Sequence, residues 1–198
     1  MEAPDVTVEG DLVSSTEVSG DGLKWTMKLK PNVKWQNKAP MNGRAATATD
    51  FVKSYDAFLG ISQNGAGWKA VVDSITAPDE KTIKVSLKAP YAPFLVTHAS
   101  SAEAMWFIPA ETITSDQAKK DPVGTGPFIF EKFESGVAIS WRKNPDYYDA
   151  PLPNFDKAEA GLINDPQRLV AALQAGDYDL SGLNGPIYKE NRSKLDSK

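Results

Sequence analysis

The chain has 198 residues, 41% of them hydrophobic and 24% charged, enough for one good-sized core or two small ones. A net charge of −4 offers no basic footprint for nucleic acid, and no apolar run approaches the roughly 18 residues of a membrane span. The absence of cysteine excludes disulfides, thiolate catalysis and most structural zinc sites together. The opening "MEAPDVTVEG" has neither the basic nor the apolar region of a signal peptide.

Residues 1–22 read as short β-like pieces and polar turns. "GLKWTMKLK" then alternates, with Leu23, Trp25, Met27 and Leu29 on one face and Lys24, Thr26, Lys28 and Lys30 on the other. That period of two predicts a half-buried strand, whose parity Val33 and Trp35 continue beyond Pro31. Asn42-Gly43 marks a turn. Thr47 as N-cap with Asp50 three residues on predicts a helix start, and Phe51, Val52, Tyr55, Phe58 and Leu59 its buried stripe. Gly60 is placed as the residue that ends it, and "SQNGAG" as a flexible loop leading to Trp68.

"VVDSITAPDEKTIKVSL" reads as strand, turn, strand, the second burying Ile83, Val85 and Leu87. "APYAPFLVTHA" predicts a short helix or turn, and "AMWFIPAE" a short apolar segment. "GPFIFEKF" and "VAISWRK" form a hairpin around Glu134-Ser135-Gly136, with Val137, Ile139 and Trp141 on one face. After the proline-rich "NPDYYDAPLPNFDK" come a strand in "KAEAGLI" and a helix capped by Asp165, with Pro166 in its first turn. Its buried face is Leu169, Val170 and Leu173, and Gly176 closes it. "DYDLSGL" predicts a last strand before a charged tail. Helices set between strands indicate an α/β or α+β fold, a mixed β-sheet with flanking helices.

The glycines of "PVGTGPF" invite a phosphate-loop reading, but phosphate loops precede a helix N-terminus, and here Pro127 and a Phe-rich strand follow. Gly124 and Gly126 are instead expected to take backbone angles closed to other residues and so aim the hairpin. The only histidine, His98, lies in an apolar stretch unsuited to a catalytic base. Asp177 and Asp179 would share one strand face as a carboxylate pair, although a Gly-Asp-x-Asp after a helix is commonly turn chemistry. Trp68, Trp106, Tyr147 and Tyr148 are expected to anchor loops. A carboxylate-dependent hydrolase and a non-catalytic scaffold stand as alternatives to a binding protein.

Four stretches in order carry a family resemblance: residues 21–37, 43–58, 122–149 and 163–180. "PVGTGPFIFEKFESGVAISWRKNPDYYD" resembles the "pvGTGPYkf" and "rNpdYw" core of the family-5 extracellular solute-binding proteins, the peptide/nickel class of ABC-importer receptors. Phe128 stands where the family has Tyr, and Tyr148 where it has Trp. The resemblance implies part of the N-terminal lobe of a two-lobed, periplasmic-binding-protein-like clamshell. Within it, residues 21–122 would form an inserted subdomain, 123–180 the return to the main lobe sheet, and 181–198 the start of the crossing to the other lobe.

It further implies an extracytoplasmic protein, in the periplasm or on the outer face of the cytoplasmic membrane as a lipoprotein, that performs no chemistry and needs no cofactor. Its partners would be a membrane permease and a small solute, an oligopeptide first, with a nickel complex or an oligosaccharide as alternatives. Asn64, Trp68, Ser181, Gly182 and Asn184 are the positions the resemblance nominates for ligand contact. With much of the ligand contact expected outside this stretch, the chain by itself is expected to bind weakly.

Overall fold

The computed structural model describes residues 9–98 and 105–180. By its internal contacts the chain divides into two compact units, Met1–Phe130 with Arg142–Asp156, and Glu131–Trp141 with Lys157–Lys198.

The first unit is built on a four-stranded antiparallel sheet in the order β1-β2-β4-β3. Its strands are β1 (Val13–Val18), β2 (Lys24–Leu29), β3 (Val72–Asp79) and β4 (Thr82–Leu87). The alternation of β2 is realised: Met27 lies between Thr16 of β1 and Ile83 of β4, and Trp25 between Val18 and Val85. One face therefore collects Met27, Leu29, Ile83, Val85 and Leu87 as buried core, while Lys24, Lys28 and Lys84 stay exposed on the other. The β3–β4 turn is fixed by Asp79, whose carboxylate accepts from Lys81 N at 2.9 Å and Thr82 Oγ1 at 2.7 Å.

Helix α1 (Ala48–Ile61) begins as the sequence predicts. Asp50 N donates to Thr47 Oγ1 at 3.3 Å and Thr47 N to the Asp50 carboxylate at 3.0 Å, closing a capping box. A free amide of its first turn, Ala48 N, is taken by Glu80 O at 2.8 Å, which docks the helix on the β3–β4 turn. The C-terminal end differs from expectation. Gly60 lies inside the helix, and the cap is Ser62 in extended conformation, its N–H donating to Phe58 O at 2.9 Å.

The residues after it are not a flexible loop, because Gly65–Val71 form a second helix, α2. The Trp68 ring supplies the reason. It is 4% exposed and packs at 5.8 Å on Tyr55 and 5.5 Å edge-on to Phe58, so burying it fixes the turn that carries it. Gly65 allows the approach, since a Cβ there would meet Leu59 O at 3.0 Å. Short helices α3 (Phe94–His98) and α4 (Gln117–Lys120) follow, the latter without a sequence signal.

A second core lies beside the first, with Val33, Trp35, Met41, Ala46 and Val123 buried together. The proline-rich segment closes over it through Tyr148. That ring sits under Lys30 Nζ at 5.0 Å, its hydroxyl donates to Asp11, and Asn32 Nδ2 donates to its carbonyl at 2.9 Å. Burial, and then the Asp11 carboxylate, push the Tyr148 hydroxyl pKa up.

A three-stranded sheet of order β5-β6-β7 is formed by Phe128–Glu134, Ala138–Lys143 and Lys157–Gly161. The hairpin turns at Gly136, with φ +75°, and Val137 N donates to Glu134 O at 2.9 Å. In the second unit α5 (Pro166–Ala175) is capped as predicted: Asp165 accepts from Gln167 N at 2.8 Å and Arg168 N at 2.9 Å, and Gly176 takes φ +83°. Of the predicted face Val170 is fully buried, and Leu169 and Leu173 are half-buried.

The strand expected in "DYDLSGL" is absent over its described part, residues 177–180. Asp177 N returns to Ala172 O at 2.9 Å, and the Tyr178 hydroxyl closes over Gly161, which bends the chain instead of extending it.

Ile83, with no solvent exposure, sits at the centre of the first sheet. Ile83→Ala is expected to lower unfolding stability by about 2–5 kcal/mol, read as a shifted urea midpoint at unchanged slope.

Candidate functional site

The nominated ligand positions fall in different places. Asn64 is exposed at the start of α2, its N–H held by Ser62 Oγ at 3.1 Å and its side chain making no capping bond. Trp68, one turn on, is buried in the first core. Ser181, Gly182 and Asn184 lie outside the described residues. The carboxylate pair is not assembled: Asp177 and Asp179 are exposed in bends and share no strand face. Among the described residues no group of three or more His, Cys, Asp or Glu is placed to hold a metal ion.

Of the loop aromatics, Trp68 anchors as expected, and the Tyr147 and Tyr148 rings pack at 4.6 Å. Trp106 does not, being 83% exposed.

The conspicuous carboxylate is Asp50, 3% exposed. One oxygen accepts from Trp35 Nε1 at 3.2 Å, Arg44 Nη1 at 2.9 Å and Thr47 N at 3.0 Å, and the other from Arg44 Nη2 at 2.8 Å. Arg44 in turn bonds Glu111 through Nε at 2.9 Å and Nη2 at 2.5 Å. Burial pushes the Asp50 carboxyl up, but the hydrogen bonds from Arg44, Thr47 and Trp35 outweigh it and hold the pKa down at about 2. The Glu111 carboxyl is lowered, chiefly by Arg44. Each Asp50 oxygen is occupied by protein donors, so the group is suited to holding structure and not to abstracting a proton.

The "PVGTGPF" loop has no anion cradle either. Neither Gly124 nor Gly126 takes a positive φ, contrary to expectation, and a Cβ at Gly126 would meet nothing within 4 Å. The loop is aimed by a buried side chain instead. Gln36, 3% exposed, donates through Nε2 to Phe128 O at 2.7 Å and Gly126 O at 3.3 Å, and accepts from Gly124 N at 3.2 Å. Asn144 Nδ2 adds a bond to Gly126 O at 3.0 Å, and Lys38 Nζ bonds Asp121 and, at 2.8 Å, Phe130 O. Nothing in the local sequence marks Gln36 for this role, because its partners lie about ninety residues away.

The first unit contains a cavity of about 400 Å³. It arises because α1 packs on β3 and β4 and α2 on β3, which leaves the β1 side of the core face to shorter segments. Met27, Ile75 and Val85 project into it from the sheet, and Phe51 and Trp68 from the two helices. Phe94 and Leu95 of α3 line it as well, as do Met105 and Phe107 beyond. Glu9 and Asp11, on the segment leading into β1, supply its only charged groups among the described residues. Volume and apolar lining are those of a small-molecule pocket. The sequence places these side chains in a core; it carries no signal that part of that core is left open.

Comparison with known proteins defines the class. Residues 7–197 match the bacterial extracellular solute-binding proteins, family 5, and the chain belongs to that family. The expected fold, α/β and part of one lobe of a two-lobed binding protein, is what its solved relatives share. Over 197 residues it is 31% identical to the "Probable D,D-dipeptide-binding periplasmic protein DdpA" of Escherichia coli K12, covering 96% of this chain and 37% of the relative. It is 29% identical to the glutathione-binding protein GsiB of Pectobacterium atrosepticum, over 84% of this chain and 32% of that one. The ABC transporter-associated periplasmic binding protein DppA of Helicobacter pylori, solved with the peptide STSA, superposes with TM-score 0.80 at 27% identity. That alignment covers 94% of this chain and 40% of the other. The chain thus spans between about a third and two fifths of the length of these relatives.

Asp50 gains stability as a carboxylate, so its contribution is complete above the ordinary aspartate value of 3.8 and is lost as pH falls through about 2. Asp50→Asn is expected to be less stable at neutral pH by about 1–3 kcal/mol, its donors being short of an acceptor, and to lose less further stability between these two pH values. Denaturant titrations at several pH values check both. Gln36→Leu, which strands buried amide and carbonyl groups of the loop, is expected to cost a similar amount, about 1–3 kcal/mol. It should also raise hydrogen exchange at Gly124, whose amide donates to the Gln36 side chain.

Proposed function

We propose that this chain is the solute-capturing part of an ABC-importer receptor, working outside the cytoplasmic membrane and passing a peptide-like solute unaltered to its permease. The observation that carries the reading is the family match over residues 7–197, together with relatives whose names specify dipeptide and glutathione binding and a structural neighbour solved with a peptide. Capture proceeds by closure of two lobes, driven by tighter binding of the solute to the closed state. Asn64, Trp68, Ser181, Gly182 and Asn184 are the proposed solute contacts, and residues 21–122 and 123–180 the inserted and returning parts of the lobe. The non-catalytic reading is supported by the one histidine in the sequence, the saturated Asp50 and the exposed bends, not a shared strand face, that hold Asp177 and Asp179.

Mixing the chain with an oligopeptide library, a trisaccharide and a nickel–histidine complex, followed by native mass spectrometry, tests this. Retention of peptides alone, weakly and at unchanged mass, is the expected result. Preferential retention of the sugar or the nickel complex would overturn the substrate class, and shortened peptides would overturn the non-catalytic reading.

A further inference from the structure

The cavity of the first unit has two properties that a mere packing fault would not combine. Its walls are mostly apolar, while its charged groups among the described residues, Glu9 and Asp11, are both acidic and sit together on one short segment. Among the described residues no lysine or arginine lines it. An occupant matching both must therefore be apolar in bulk and cationic at one end.

Access supports the same occupant. Thr16 points to the core face opposite Met27 and is nevertheless exposed, and its neighbour on that face, Val18, is 51% exposed. The groove thus opens beneath β1, the strand that the segment carrying Glu9 and Asp11 runs into. Two of the chain's four methionines, Met27 and Met105, line it. Unbranched thioether side chains repack around differing shapes, so the lining suits a range of apolar side chains better than one rigid ligand. At about 400 Å³ the space accommodates an aromatic side chain and a neighbouring aliphatic one.

We propose that this groove binds the amino-terminal end of apolar peptides, with the side chains against Met27, Phe51 and Trp68 and the free ammonium group toward Glu9 and Asp11. Asp11 already accepts a hydrogen bond from the Tyr148 hydroxyl, which fixes its carboxylate in place. Glu9, exposed like Asp11, is the second carboxylate available for the charge. The assignment rests on the receptor reading for the identity of the ligand as a peptide; the groove's preference for an apolar amine stands independently.

The test uses the full chain with its tryptophan indoles labelled with ¹⁵N. It is titrated with Phe-Leu, N-acetyl-Phe-Leu, Gly-Gly and 4-phenylbutylamine. The Trp68 indole resonance is expected to shift with Phe-Leu and with phenylbutylamine, and not with Gly-Gly. The acetylated dipeptide should bind about tenfold more weakly, as befits loss of one charge-assisted hydrogen bond. Thr16→Trp, at an exposed position, should fill the groove mouth and weaken both ligands at least about tenfold, a loss on the order of that of an apolar contact set. Glu9→Gln should remove most of the discrimination between free and acetylated dipeptide.

Phe-Leu binding that Thr16→Trp leaves unchanged would overturn the groove while upholding the receptor. Phenylbutylamine bound in the groove with no dipeptide bound would uphold the apolar-amine site and overturn its use for peptides. No Trp68 shift with any probe, as when the chain itself or a second copy closes the groove, would overturn the proposal entirely.

Discussion

The buried Asp50 carboxylate is the interaction on which the first unit depends. It closes the first turn of α1, accepts the indole of Trp35, and holds Arg44, which reaches across to Glu111. Trp35 has no exposed surface and packs at 4.7 Å on Phe107, which packs at 6.1 Å on Phe51 of α1. One carboxylate therefore sets the helix start, seats the second core and ties down the 108–112 loop. A buried charge of this kind is tolerable only because every lone-pair direction is met by a donor. Its importance is architectural: it fixes where α1 lies, and the position of α1 decides which half of the sheet is covered.

Groove and polar nodes are consequences of the same shortage. Fourteen residues of α1 and seven of α2 cannot blanket a four-stranded sheet, so the helices take the β3–β4 half. The remaining half is walled by short pieces around Phe94 and Phe107, too few to fill it. Loops of this length need fixing by other means, and Gln36, Lys38 and Asn144 provide it by bonding backbone carbonyls of residues 126–130. Polar side chains here do the work that regular ladders do elsewhere.

What the sequence revealed and what it concealed divide along sequence separation. The β2 alternation, the Thr47–Asp50 capping box and the Asp165–Gly176 limits of α5 are local signals, and each is found where it was read. Helix α2 was concealed because "SQNGAG" carries loop residues, while the force that winds it, burial of Trp68 on Tyr55 and Phe58, is tertiary. The same holds for the glycine loop: two glycines suggested special backbone angles, whereas a glutamine about ninety residues earlier supplies the constraint. Over residues 177–180 the last strand does not form, because Asp177 and Tyr178 find partners behind them, at Ala172 and Gly161. Of the ligand positions, Asn64 and Trp68 are on one short helix start, one outside and one inside, a distinction that only packing reveals.

The outer edge of β1 has a meaning beyond the groove it overhangs. An exposed edge strand is ordinarily a template on which another chain can add. Here the ladder to β2 is broken by an irregularity between Val13 and Ser15, and the strand reads Val-Ser-Ser-Thr-Glu-Val, with hydroxyls and a carboxylate where an aggregating strand would carry apolar runs. The strand that leaves the sheet open to a small visitor is thereby a poor host for a large one. Solubility and accessibility, which usually compete at a bare sheet edge, are reconciled by six residues.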